Sequence, residues 1–282
     1  MTRTWFITGA NRGLGRAFTL AALEQGDRVV ATAREPESMS GIAQERLTVL
    51  PLDVRDRERA IATVDRAFEI SGSIDVIVNN AGYGLVGAVE ELSEQQIRAQ
   101  MDTNFYGALW VSQAAIPHLR KQGSGHIVQI STVGAVGSLP LFSLYNASKW
   151  ALEGFSASMA DELRPFGIAV TLAQMGGFDT DWAKSSMKFA EALPAYADTR
   201  AGILGMPDYP DPLAPPPAAD HQPEWVEPGP EVAAAELMSL VNMPNPPVRR
   251  IIGPGAREMV AMALDQRRLD YATDPEFTWP AC

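Results

Sequence analysis

The chain has 282 residues, 46% of them hydrophobic and 20% charged, a size that suits one large α/β domain or two ordinary ones. Its 34 Asp and Glu against 23 Lys and Arg give a formal net charge of -11, which argues against nucleic acid or an anionic membrane surface as a partner. The single cysteine, Cys282, excludes an intrachain disulfide framework or a cysteine-rich metal site, so a reducing, cytoplasmic setting is expected. Met1 to Ile7 run straight into a glycine-rich turn, leaving no room for a signal peptide. No stretch approaches the roughly 20 consecutive apolar residues of a membrane helix.

Up to about residue 175, short apolar runs alternate with longer amphipathic segments, the rhythm of βαβ units. Strands are expected at Thr4 to Thr8, Arg28 to Ala33, Leu47 to Leu52, Ile74 to Asn79, His126 to Ser131 and Ile168 to Leu172. Helical patterns fill the gaps at Gly13 to Gln25, Asp56 to Ser71, Ser93 to Lys121 (read as two helices) and Leu144 to Arg164. Near-continuous apolar strands such as Ile74 to Val78 belong to a parallel sheet covered on both faces. The expected fold is therefore a doubly wound, Rossmann-type α/β domain. The rhythm breaks between about Phe178 and Pro230, a Pro- and Ala-rich stretch with Pro215-Pro216-Pro217, too long for an ordinary connection and read as a lid or substrate loop, or as partly disordered. Pro230 to Leu240, Val248 to Ile252 and Gly255 to Asp270 read as a final helix, strand and helix, which would complete about seven strands in a single domain.

Thr8-Gly9-Ala10-Asn11-Arg12-Gly13-Leu14-Gly15 lies between the first strand and a helix, where glycines let backbone N–H groups approach a pyrophosphate. Taken alone, this spacing also fits a tight turn with no ligand. An acidic residue at the end of the second strand would favour NAD, but the sequence there is Ala31-Thr32-Ala33-Arg34. Arg34 and Arg12 would suit a 2'-phosphate, and NADP is the expected cofactor unless both are ordinary surface residues.

Tyr145-Asn146-Ala147-Ser148-Lys149 opens an apolar-periodic helix, and a spacing of four puts phenol and ammonium on one face. A neighbouring cation stabilises a phenolate, so the pair can act as general acid for a ketone or general base for an alcohol. By itself, such a pair is more often a surface feature. His118, His126 and His221 are too scattered to suggest a metal site, and no metal is expected. Glu90-Glu91-Leu92-Ser93-Glu94 could pass for a carboxylate cluster, but Ser93 with Gln96 three residues later reads as a capping box.

In motif content and order, residues 3 to about 185 resemble the short-chain dehydrogenase/reductase family. The family's Thr-Gly-x-x-x-Gly-x-Gly loop is matched by Thr8 to Gly15, its Asp-Val dipeptide by Asp53 and Val54, its Asn-Asn-Ala-Gly segment by Asn79 to Gly82, its asparagine by Asn104, and its Tyr-x-x-x-Lys by Tyr145 and Lys149. The resemblance implies an NADP(H)-dependent oxidoreductase that moves a hydride between the nicotinamide and a carbonyl or secondary alcohol of a fairly hydrophobic substrate. Tyr145 would be the general acid or base, and Lys149 would lower its pKa and hold the nicotinamide ribose. Asn104 would support a water-borne proton relay, while Asn80, Ala81 and Gly82 would border the cofactor.

Two positions depart from the family pattern. The family's catalytic serine falls on Thr132, whose hydroxyl offers the same chemistry; Ser131 should point the other way if strand alternation persists. Met175 stands where the family usually has proline, although Gly177 and Thr180 could still reach the carboxamide. Phe178 and Trp182 could line an apolar substrate pocket or pack a lid. The resemblance also implies a homodimer or homotetramer through the helices beginning near Phe105 and Leu144. The alternatives are a non-catalytic NADP-binding sensor or scaffold and, less favoured by the glycine spacing, a sugar-nucleotide epimerase or dehydratase.

Overall fold

In the computed structural model, which describes residues 2–42, 45–180, 186–210 and 227–279, seven parallel strands form one sheet in the order β3-β2-β1-β4-β6-β7-β9. The strands are β1 (Thr4–Ile7), β2 (Arg28–Ala33), β3 (Leu47–Pro51), β4 (Val76–Asn79), β6 (Gly125–Thr132), β7 (Ile168–Met175) and β9 (Arg249–Ile252). Their side chains divide between two apolar cores, as the period of two demands. Trp5, Ile7, Val76 and Val78 face a core closed by α1 (Gly13–Glu24) and α7 (Pro230–Val241). Phe6, Ile77 and Ile127 face the other, under α2 (Arg57–Ser71), α4 (Gly107–Gln122) and α5 (Ser143–Leu163). A last helix, α8 (Ala256–Ala272), packs Ala256 and Val260 against the turn that follows β6. Strand order reverses beside β1, and in open α/β sheets the crevice at such a reversal is where ligands bind.

Local chemistry sets the helix starts. The Asp56 carboxylate accepts from Arg59 N–H at 3.0 Å ahead of α2. Ser93 and Gln96 form the expected capping box before α3 (Glu94–Met101). The segment from Ser93 to Lys121 is indeed two helices, but a π turn over Asp102–Tyr106 joins them, with Gly107 N–H reaching back to the Asp102 carbonyl. Such turns occur mostly at functional positions.

The described part of the expected lid is more ordered than its composition suggests. Short strand β8 (Lys188–Phe189) pairs in parallel with β5 (Leu85–Val86), and α6 (Ala197–Leu204) follows. The segment is pinned by Glu91, whose carboxylate accepts from Leu193 N–H and Ala88 N–H, each at 2.8 Å, and from the Tyr209 hydroxyl. It also pairs at 2.5 Å with Arg200, and both side chains are shut off from solvent. Burial alone would raise the Glu91 pKa, but these hydrogen bonds and the Arg200 charge hold it below the usual carboxylate value. Glu91 is thus a buried anchor, although the capping-box reading of its neighbours stands. Among the described residues, no helix is long and apolar enough to cross a membrane.

Candidate active site

The carboxyl ends of the strands open into a cleft of about 550 Å³. On one side lies the glycine loop, where Gly9 and Gly13 take positive φ values of 63° and 51°, a conformation costly for any side chain. Gly15 is not exposed in the cleft: a Cβ there would lie 2.3 Å from the Gly9 carbonyl oxygen and 2.5 Å from Asn80 Nδ2. It lets the loop fold onto Asn80, whose Nδ2 donates to the Thr8 and Gly9 carbonyls at 2.9 and 3.0 Å. Thr8 Oγ1 in turn accepts from the Asn80 and Ala81 N–H groups, both at 3.0 Å. The first turn of α1 has neither a side-chain cap nor an acidic residue, and with Asn11, Arg12, Gly13 and Leu14 it borders the cleft. Free N–H groups at the positive end of a helix dipole suit a pyrophosphate.

Farther along, the cleft is walled by Arg34, Asp53 and Val54. Sequence reasoning missed Arg55, whose Nη2 lies 2.5 Å from Asp53 Oδ2 and whose Nε donates to Oδ1 at 3.0 Å. This pair, with a further contribution from Arg34, holds Asp53 below its usual pKa despite partial burial. Arg12, Arg34 and Arg55 therefore leave this end of the cleft with an excess of positive charge around one carboxylate.

The other half of the cleft contains Thr132, Tyr145 and Lys149. Thr132 ends β6, accepts from Gly134 N–H at 3.2 Å and hydrogen-bonds the Tyr145 phenol. Ser131 points the opposite way, donating to Glu153 at 2.8 Å, as strand alternation requires. Lys149 Nζ donates to the Ile130 carbonyl at 2.8 Å. Burial pushes the Tyr145 phenol up to about 12, with the Thr132 hydrogen bond opposing it. The direction is opposite to the lowering expected of the nearby lysine; burial also pushes Lys149 down to about 8, with Glu153 opposing that shift. Desolvation thus dominates at both groups.

Asn104 sits in the π turn, 1% exposed, behind rather than within the cleft wall. Its Nδ2 donates to the Tyr83 carbonyl at 3.0 Å and to Ser148 Oγ at 3.2 Å, and its Oδ1 accepts from Tyr83 N–H at 3.1 Å. Asn104 therefore ties the Asn80-Ala81-Gly82 segment to α5. A Cβ on Gly82 would stand 3.1 Å from Asn104 Oδ1 and 3.6 Å from Lys149 Nζ, so only glycine leaves that space open.

Gly177 and Thr180 border the cleft. Phe178 borders the cleft and, 7% exposed, also packs into the core beneath it, while Trp182 lies outside the described residues. Tyr83, Ser186 and Lys188 also line the cleft, with Lys188 Nζ 5.1 Å from the centre of the Tyr83 ring. Lys188 and Ser186 had no periodic or motif signal, because a two-residue strand from the irregular segment brings them in.

A glycine loop thus lies at the switch point of a parallel sheet, facing a buried Tyr and Lys one helical turn apart, the arrangement of an oxidoreductase. The chain belongs to the short-chain dehydrogenase family, whose pattern matches residues 3–191. It is 37% identical over 274 residues to "Oxidoreductase BOA17" of Botryotinia fuckeliana, covering 94% of each chain. It is 32% identical over 271 residues to the 3-ketodihydrosphingosine reductase of Bacteroides thetaiotaomicron, again covering 94% of each. A short-chain dehydrogenase from Streptomyces avermitilis superposes with a TM-score of 0.84 at 33% identity, covering 97% of this chain and 96% of that one.

Proposed function

We propose that the protein is an NADPH-dependent carbonyl reductase acting on a fairly hydrophobic ketone or aldehyde. The observation that carries this reading is the placement of the buried Tyr145 phenol beside Thr132 and Lys149 in the same cleft as the glycine loop. A phenol so placed can give its proton to a carbonyl oxygen and, in reverse, take one from an alcohol. NADPH, when bound, supplies the hydride. The chain's own residues do the rest. Thr132 orients the carbonyl oxygen, Tyr145 delivers a proton to that oxygen, and Lys149 holds the nicotinamide ribose close to the phenol. Asn104 keeps the Tyr83 backbone and α5 in register, fixing one side of the path by which the phenol recovers its proton.

The uncapped start of α1 fits a pyrophosphate, and the open space beside Gly82 fits a close-lying ribose. Arg34, Arg12 and Arg55, with no acid at the end of β2, favour a 2'-phosphate. The relative named as a 3-ketodihydrosphingosine reductase supports a ketone on an apolar chain, and buried Met175 lines the reacting end of the cleft. A homodimer or homotetramer would use exposed aromatic residues near the expected helices, including Tyr106 and Trp150.

The test is NADPH oxidation over a panel of long-chain and cyclic ketones, with Tyr145→Phe beside the parent. Loss of the proton donor should lower kcat by about 10²- to 10⁴-fold with little change in NADPH affinity. A parent that binds NADPH yet oxidises it with no carbonyl would instead point to a cofactor-binding sensor.

A further inference from the structure

Tyr145, Lys149 and Glu153 follow one another at intervals of four along α5, so they share a helix face. Each meets one of three consecutive residues at the end of β6. Tyr145 bonds to the Thr132 hydroxyl, Lys149 to the Ile130 carbonyl and Glu153 to the Ser131 hydroxyl. Only the first two belong to the reacting centre described above. Glu153 is 7% exposed and heavily bonded: Oε1 accepts from Ser131 Oγ at 2.8 Å and Gln174 Nε2 at 3.0 Å, and Oε2 accepts from Arg249 Nε at 2.9 Å. Three adjacent strands, β6, β7 and β9, thus hold one carboxylate a single helical turn behind the lysine. A buried carboxylate is costly unless paired and hydrogen-bonded, and the Arg249 side chain is half exposed, so fold stability alone gives little reason to bury the anion there.

We infer that Glu153 is a positioning residue for the reacting centre: its carboxylate locks α5 onto the sheet in the register that aims Tyr145 and Lys149 into the cleft, and supplies the negative charge behind the Lys149 ammonium, with Arg249 moderating that charge from the sheet edge. The structural part stands by itself, while the consequence for turnover rests on the reductase reading.

The charged and titratable groups facing this assembly, among the described residues, are Tyr145 on the same helix and Arg249 on β9. The other strands and the π turn present neutral groups: the Ile130 carbonyl, Ser131, Gln174 and Asn104. Glu153 opposes the effect of burial on Lys149. Removing the anion therefore makes the lysine lose its proton at lower pH, and removing Arg249 unmasks the anion and has the opposite effect.

The experiment uses the full chain without cofactor, labelled with [¹³Cε]lysine. The lysines are Lys121, Lys149, Lys184 and Lys188, and the Lys149 signal is the one missing from Lys149→Met. In Glu153→Gln the Lys149 titration midpoint should fall by about one pH unit, and in Arg249→Met it should rise by less than that. An unchanged midpoint in Glu153→Gln, or movement of both variants in the same direction as from general loosening, would overturn the inference. Arg249→Met changes a half-exposed side chain on the edge strand and leaves Ser131 and Gln174 donating to the Glu153 carboxylate, so it keeps the test open if Glu153→Gln fails to fold. In the assay, the alkaline limb of kcat/KM against pH should move with the NMR midpoint in each variant. If the parent reduces no carbonyl, the reductase reading falls while the lysine titration still decides the role of Glu153.

Discussion

Arg34 follows the last residue of β2, where a carboxylate would accept the ribose hydroxyls of NAD. With a charge-assisted hydrogen bond contributing about 1.5–3 kcal/mol, Arg34→Asp should lower kcat/KM for NADPH about ten- to a hundredfold and raise it for NADH. Measuring both cofactors with one ketone decides the matter: an unchanged ratio would move the selection to Arg12 and Arg55. The contrast between Arg34 and Arg55 also marks what could be read from single residues. Arg34 stands out in the sequence because it occupies the place of an expected acid. Arg55, like Glu153, becomes visible only through a partner: Asp53 in one case, and three strands in the other. That Thr132 and Ser131 point in opposite directions was legible from strand alternation. The protonation state of Tyr145 was not, since it depends on how deeply the fold buries the pair.

Among the elements, strands and helices with strong periodicity were legible to within a few residues, whereas two kinds of feature were not. The π turn at Asp102–Tyr106 leaves no trace in hydrophobic period because helix continues on both sides of it. The irregular segment after Phe178 is organised by Glu91 and Arg200, 109 positions apart, a separation that no local pattern reports. Arg200 also donates to the Pro207 carbonyl at 2.5 Å and the Leu193 carbonyl at 2.9 Å, so one side chain gathers Leu193 and Pro207 around one carboxylate. Arg200→Met should leave Glu91 buried and unpaired, at a cost of about 3–5 kcal/mol. Since β8 carries Lys188 to the cleft wall, the variant should show early proteolysis between residues 190 and 210 and a raised ketone KM, with kcat less affected. The double variant Glu91→Gln with Arg200→Met should recover part of the stability because the lone charge is gone. Equal proteolysis of parent and Arg200→Met would mean the segment is held by its apolar contacts instead.

Across the molecule, the sheet separates its two ends. The cleft lies at the carboxyl ends of the strands, while His126 lies near the start of β6 at the opposite end. Its Nε2 is 2.9 Å from Thr171 Oγ1, and that hydroxyl donates to the Pro247 carbonyl at 2.7 Å, so the ring must donate through Nε2. Burial, with a smaller repulsion from Arg3, pushes the His126 pKa from 6.5 down to about 4. The unfolded chain therefore binds a proton that the folded one refuses between those values. The corresponding stability is intact above about pH 6.5, declines as the pH falls, and is lost through about pH 4, a total of about 3 kcal/mol. Acidification also lessens the repulsion within a chain of net charge -11 and protonates Asp53 and Glu91, whose lowered pKa values place their contribution at the acid end. The parent's pH profile thus mixes several groups, and comparison with His126→Gln isolates one, because glutamine can still donate to Thr171 without titrating. Urea unfolding at pH 7 and at pH 4.5 should show a smaller loss of stability in His126→Gln than in the parent, by about 2 kcal/mol. Equal losses would show that His126 reaches its proton by a local opening at the amino end of β6, without unfolding the sheet.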